Sequence, residues 1–364
     1  MSDNIDLKVS ELRKRSHFVS YLAVRKAVLK MLEDEGARSG LAFSEYWKQE
    51  VAGFEYLFDA TPLITEKLRH HCYHITGLKE YEYRPHHAHK AEAFVRKRER
   101  LKAHDARGLF VPENPELGGF GHVLDGQLVN IDTLKFYESL IAMDKAGLLP
   151  VQSAGSRPVV VEIGAGWGGF AYQFKTLFPD TTYVIIDLPQ VILFSGLYLK
   201  EMFPNAKIYI EGDGSEPFDP DRIGEYDFVV LPPSRAADYL LHADLAVNMV
   251  SFQEMTEQQV DGYIRWLAEI GCPAIYSHNR GRSPYNEEIG DVAEILARHC
   301  AVSEITVLPE QYTQMKARKI PPPVESFARP AIRGLLRQKP PKRKTASFQR
   351  GALGYRHLVG EFSP

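Results

Sequence analysis

Residues 159–172 read VVVEIGAGWGGFAY, and no other stretch limits the fold as strongly. Val159, Val160, Val161 and Ile163 suit a strand buried on both faces, as in a parallel sheet. Glu162 breaks that run, and four glycines follow within the six residues from Gly164 to Gly169. A chain that turns sharply from strand to helix needs positions without a Cβ. They permit left-handed backbone and let a ligand lie against the amides. Phe170, Ala171 and Phe174 then open an apolar helical pattern. The stretch dictates a strand, a tight turn and a helix, with a ligand site at the turn.

The rest of the chain after Pro150 repeats this grammar. TTYVIID, AKIYIEGD, EYDFVVLP, ADLAVNMVS, CPAIYSH and AVSEITVLP are short β-rich runs, several separated by helical patterns. Such alternation implies right-handed crossovers and a mostly parallel α/β sheet. Asp187 ends the second strand, 25 residues after Glu162, where a carboxylate has two acceptor oxygens for the hydroxyls of a ribose. Asp213 follows Gly212 at the end of the third.

The acid and glycines at 162–168, E-I-G-A-G-W-G, resemble the first motif of class I S-adenosylmethionine-dependent methyltransferases. The words FAYQF, IIDLP, VILFSGLYL, NMVSFQEM and YSHNR, with LRHHCYHITG at 68–77, resemble bacterial sugar O-methyltransferases over roughly residues 40–310. The resemblance implies a Rossmann-like fold, S-adenosyl-L-methionine as cofactor, and methyl transfer to oxygen on a sugar or glycosylated natural product. It implies cofactor contacts from Glu162, Gly164, Ala165, Gly166, Trp167, Asp187 and Leu188, from Asp213 toward adenine, and from Asn248. It also implies a last strand, antiparallel and slotted between the fifth and sixth. YRHLVGEF at 355–362 is the late segment with strand character, which makes residues 310–354 an excursion between paired strands. A nicotinamide-dinucleotide oxidoreductase is the rival, since Gly164, Gly166 and Gly169 also fit G-x-G-x-x-G with Asp187 downstream. Glu162 counts against it, standing where that fold wants an apolar strand residue. A scaffold that binds cofactor without catalysis is the non-enzymatic alternative.

Composition narrows the class. The chain has 364 residues, 44% hydrophobic and 25% charged, with a net charge of −3. These values suit a globular protein and predict neither a nucleic-acid nor a membrane partner. Cys72, Cys272 and Cys300 are widely spaced and match no zinc pattern. The polar N-terminus lacks an apolar signal region, so a cytoplasmic location is expected.

The first 150 residues read as a helical region, expected to supply acceptor specificity or a homodimer contact. Helical spacing runs through SYLAVRKAVLKMLEDEG, SEYWKQEVAGFEYLF, with Ser44 as cap, and TPLITEKLRHHCYHITG, stopped at Gly77. Lys90 to His104 is charged on nearly every face and reads as an exposed helix. NIDTLKFYESLIAMDKAG reads as a helix capped near Asp132 and ended by Gly147. Residues 151–309 form the cofactor domain, and 310–364 a basic, proline-rich excursion with the final strand.

Transfer to a hydroxyl benefits from a general base, worth about 10²–10⁴-fold. Sites in open α/β sheets lie at the carboxyl ends of strands. That selects Glu254 and His278 as candidate bases, with Ser251, Gln253, Asn279 and Arg280 lining the acceptor mouth. Glu254 also fits a cap for the helix near Thr256, and His278 a loop-bonding histidine. His122 is a third candidate base and acceptor contact, in a glycine loop, GGFGHVLDG, expected to fold over the cofactor. His70 and His74, four apart, and the group His86, His87 and His89 have no matching carboxylate motif, so no metal is assigned. LPPS at 231–234 looks like the D/N-P-P-Y motif of amino-methylating enzymes, but Leu231 cannot accept a hydrogen bond; the segment reads as an additional strand end. From Glu325 to Pro364 there are nine Lys or Arg and two acids. Arg329, Arg333 and Arg337 are expected near an anionic group of the acceptor.

Overall fold

The computed structural model describes residues 10–37, 45–151, 157–214, 218–281, 290–315 and 354–363. Its centre is an eight-stranded sheet. A two-stranded hairpin precedes it in the chain, β1 (His122–Leu124) and β2 (Gln127–Val129). The sheet strands are β3 (Val159–Ile163), β4 (Thr182–Ile186), β5 (Ile208–Ile210), β6 (Phe228–Leu231), β7 (Leu245–Met249), β8 (Ala274–Arg280), β9 (Ala301–Ile305) and β10 (Tyr355–Glu361). Their order across the sheet is β5-β6-β4-β3-β7-β8-β10-β9. The pairs from β5 to β8 are parallel. β10 is antiparallel to both neighbours, with Tyr355 opposite Arg280 and His357 opposite both His278 and Ile305. This is a Rossmann-like sheet with the expected antiparallel last strand.

β3, β4, β6 and β7 are buried at every residue, as strands covered on both faces must be. The principal helices are α1 (Ser16–Ala37), α2 (Glu45–Phe54), α3 (Ala91–Lys102), α4 (Ile131–Lys145), α5 (Gly169–Leu177), α6 (Pro189–Met202), α7 (Pro233–Tyr239) and α8 (Glu257–Glu269). α1 packs along α6, with Val24 against Gly196, so the N-terminal helices share the main core.

Four local readings are corrected. The segment after Thr61 is three helical turns, Pro62–Thr65, Leu68–His71 and Tyr73–Thr76, before Gly77 takes a left-handed φ of 72°. α3 is not an exposed helix, because Phe94, Lys97 and Leu101 form a buried stripe. α4 is capped by Asn130, whose side chain accepts from the Thr133 amide. Asp132 is instead buried within the first turn, where it bonds Lys135 and Trp167. The glycine loop around His122 folds as the β1–β2 hairpin, and its His122 ring lies between Tyr83 and Phe94. Ser44, Arg329, Arg333 and Arg337 lie outside the described residues. Among the described residues no helix is long and apolar enough to cross a membrane.

Candidate active site

A cavity of about 670 Å³ runs along the carboxyl-terminal edge of the sheet. Strand order arranges its wall. Pro233 and Ala236 follow β6, Asp187 and Leu188 follow β4, and Glu162 with the Gly164–Trp167 turn ends β3. Next come Met249 to Glu254 after β7, Arg280 at the end of β8, and Tyr355 at the start of β10. From β6 to β10 is five strand steps, about 24 Å at the usual spacing. The site is therefore a long trough able to hold two ligands end to end.

The glycine turn is built as the sequence requires. Gly164, Gly166 and Gly168 have φ of 76°, 59° and 84°. A Cβ on Gly164 would overlap the Ser251 hydroxyl, and one on Gly166 would come 2.9 Å from Ile75. Asp187 ties the turn to β4: one carboxylate oxygen accepts from the Gly166 amide at 2.8 Å, the other from the Leu188 amide at 2.8 Å. The Ala165 amide also bears on this carboxylate, and the lone pairs left over are available to a ligand. Glu162 is 1% exposed and accepts from the Tyr183 hydroxyl at 3.1 Å.

Three carboxyls in this wall are shifted toward neutrality. Burial pushes Glu162 up to about 8, with the Asp187 charge adding to it. Burial pushes Asp187 up to about 7 against the pull of its backbone amides. Glu254 is partly open to the cavity, yet the protein around it raises it to about 8, helped by Asp187 and Glu50. Glu254 sits in the turn Phe252–Glu254, and α8 has its own cap in Thr256, with a reciprocal Gln259 bond. The capping role is thus filled without Glu254.

The structure brings Glu162, Gly164, Ala165, Gly166, Trp167, Asp187, Leu188, Ser251, Gln253, Glu254 and Arg280 to one wall. Five other candidates are not part of it. Asn248 is buried behind it, donating to Ile163 O at 2.7 Å and accepting from Phe252 N and from Asn279 Nδ2. Asn248 and Asn279 therefore clamp the ends of β3, β7 and β8. His278 is 1% exposed, stacked on His357 at 4.0 Å and flanked by Tyr312 and Tyr355. Burial drives it well below the ordinary histidine range, and it stops one side chain short of the cavity on its face of β8. His122 is buried under α3. Asp213 lines a separate cavity with Arg25, Lys26 and Lys30 of α1. The cause is β6, which inserts between β5 and β4 and puts Pro233 where Asp213 was expected.

Sequence reasoning missed other parts of the wall. Glu50 comes from α2, Lys135 and Phe136 from α4, Tyr263 and Trp266 from α8, and Tyr312 from beyond β9. His74 reaches the cavity, while His70 packs on Phe120. Among the described residues no group of three or more His, Cys, Asp or Glu is placed to hold a metal ion.

No family model and no curated protein matches the chain. Solved structures match parts of it. WbdD, solved with a kinase inhibitor, is 16% identical over 48% of this chain and 36% of its own, with a TM-score of 0.31. An O-methyltransferase family protein from Burkholderia thailandensis is 14% identical over 64% of this chain and 59% of its own, TM-score 0.34. Magnesium protoporphyrin IX methyltransferase from Synechocystis, solved with S-adenosylhomocysteine, is 10% identical over 49% and 82%, TM-score 0.32. The chain thus spans about a third of the first and three-fifths of the second.

Proposed function

We propose that this protein transfers a methyl group from S-adenosylmethionine to a hydroxyl oxygen of a sugar or glycosylated natural product. One observation carries the reading. Asp187 is fixed to the Gly166 amide beside the buried Glu162, at the carboxyl ends of the adjacent strands β4 and β3. The residues fit the cofactor. Asp187 offers lone pairs to ribose hydroxyls, and the open backbone from Gly164 to Trp167 accommodates the carboxypropyl end. Glu162 suits the amino group. Leu188, Pro233 and Ala236 give an apolar seat for the base. When bound, the cofactor supplies a methyl already activated on a sulfonium.

Charge separates this reading from the dinucleotide one. The wall carries Glu35, Glu50, Glu162, Asp187 and Glu254 against Lys135 and Arg280. A ligand with a sulfonium and an ammonium draws those carboxyls into their ionised form, whereas the two phosphates of a dinucleotide oppose it. Glu254 is the group at the wall suited to take the hydroxyl proton, because its raised pKa lies near neutral pH. Aromatic residues such as Trp47, Tyr73 and Trp266, interleaved with Gln253, Gln258 and Gln259, suit a ring bearing several hydroxyls.

Incubation with methyl-labelled S-adenosylmethionine and a panel of glycosylated acceptors tests the proposal. Label on a sugar oxygen is the expected result. Label on nitrogen or carbon, or a panel that stays unlabelled, would count against it.

A further inference from the structure

The basic end of the cavity is set by Arg280, whose charge is felt by Glu254 and Tyr312 without a direct ion pair. Arg280 makes no ion pair with any described residue, and its Nε is buried without a hydrogen-bond partner. The other enclosed cations behave differently. Arg69 pairs with Glu113 at 2.6 Å, Lys135 with Asp132 at 3.0 Å, and Lys175 with Asp227 at 3.1 Å. Arg280 is partly exposed toward the cavity, so it is the buried Nε that lacks a partner, and an anion in the cavity would supply one.

Its surroundings hold it in place. Tyr355 stands opposite Arg280 in the β8–β10 ladder, and the guanidinium carbon lies 4.6 Å from that ring's centre. Tyr312 packs edge-on against Tyr355, with centroids 4.6 Å apart. Tyr312 itself is held from below, since Lys97 donates to its carbonyl at 2.7 Å. All three side chains line the cavity. A guanidinium fork stacked on one phenol ring, with the two phenols bonded to each other, is a donor set that suits a carboxylate or a phosphate. It lies two strand steps from Glu162, at the opposite end from the apolar base seat.

We propose that Arg280, Tyr312 and Tyr355 form an anion subsite that selects acceptors carrying a carboxylate or phosphate, such as a sugar acid or sugar phosphate. This rests on the methyltransferase reading for the word acceptor; the anion preference itself does not. Trp47, Trp167 and Trp266, the chain's three tryptophans, all line the cavity, so their fluorescence reports occupancy.

The test titrates glucuronate, glucose 6-phosphate and methyl glucoside into the protein, with and without S-adenosylhomocysteine. The wild type should favour at least one charged probe over methyl glucoside by about tenfold or more, as one charge-assisted contact allows. Which charged probe wins tells carboxylate from phosphate. Arg280→Met should abolish the preference and Arg280→Lys should keep part of it, both with S-adenosylhomocysteine affinity near wild type. Equal or absent binding of charged and neutral probes, or a preference that survives Arg280→Met, would overturn the subsite. Loss of S-adenosylhomocysteine binding in the wild type would instead sink the cofactor reading, while the cofactor-free titrations still judge the subsite.

Discussion

The guanidinium carbon of Arg69 lies 3.5 Å from the centre of the Trp167 indole, the residue at the heart of the glycine turn. Arg69 is fully buried and bonds Glu113 at 2.6 Å, and Glu113 also accepts from Asn130, the cap of α4. Trp167 in turn donates to Asp132, which holds Lys135 at the cavity. One buried network thus joins the N-terminal helices to the ligand turn. Arg69→Met should destabilise the protein by about 3–5 kcal/mol, because Glu113 is left as an unpaired buried acid. Arg69→Met with Glu113→Leu should recover most of that loss. Denaturant unfolding of the two variants checks both statements.

Gly164→Ala should weaken S-adenosylhomocysteine binding and lower stability together. The left-handed backbone alone costs a residue with a side chain about 1–2 kcal/mol, and overlap with Ser251 adds to it. Adding Ser251→Gly, which removes both the hydroxyl and the Cβ that would lie 1.9 and 2.5 Å away, should relieve the overlap but not the backbone term. A double variant no more stable than Gly164→Ala would contradict the geometry.

Glu254→Gln should reduce turnover by about 10²–10⁴-fold with cofactor affinity nearly unchanged, as expected for loss of a general base. His278→Ala should act differently. Its ring is enclosed under Tyr312 and Tyr355, so the variant should lose about 2–5 kcal/mol of stability through the cavity it leaves. Wild-type turnover in Glu254→Gln would remove that residue from the mechanism.

Lys97→Met should loosen the segment that carries Tyr312. The Lys97 ammonium is buried and donates to the carbonyls of Gln311, Tyr312 and Gln314 at 3.1, 2.7 and 3.2 Å. Hydrogen exchange should rise around residues 311–314 while the turn at 164–168 stays protected. Unchanged exchange at 311–314 would show that other contacts seat Tyr312.

The strands of the sheet were legible because each is a short β-rich run with breakers around it, and the glycine turn because it needs residues without a Cβ. Strand order was not. Placing β6 between β5 and β4 depends on pairings remote in sequence, and that displacement alone moves Asp213 into another cavity. On β8 the period of two puts His278 and Arg280 on one face, yet their distance from the strand end decides which reaches the ligand space. Lys97 sits in a charged run that reads as a solvated helix. The three carbonyls it holds lie more than two hundred residues away, where no local pattern points.

Calorimetric titration with S-adenosylhomocysteine and with NAD, from pH 6 to 8, tests the central claim most directly. Glu162, Asp187 and Glu254 stand at about 8, 7 and 8, above their ordinary values of 4.5, 3.8 and 4.5. The folded chain therefore keeps protons that the unfolded chain releases, and unliganded stability should fall as pH rises from about 4 to 8. A ligand carrying a cationic amino group favours the ionised forms of the two cofactor-facing carboxylates, Glu162 and Asp187. S-adenosylhomocysteine should thus bind with release of protons, and its affinity should climb with pH by up to about tenfold per unit for each proton released. NAD should bind far more weakly at every pH. Tight NAD binding without S-adenosylhomocysteine binding would contradict the account, as would S-adenosylhomocysteine binding that takes up protons.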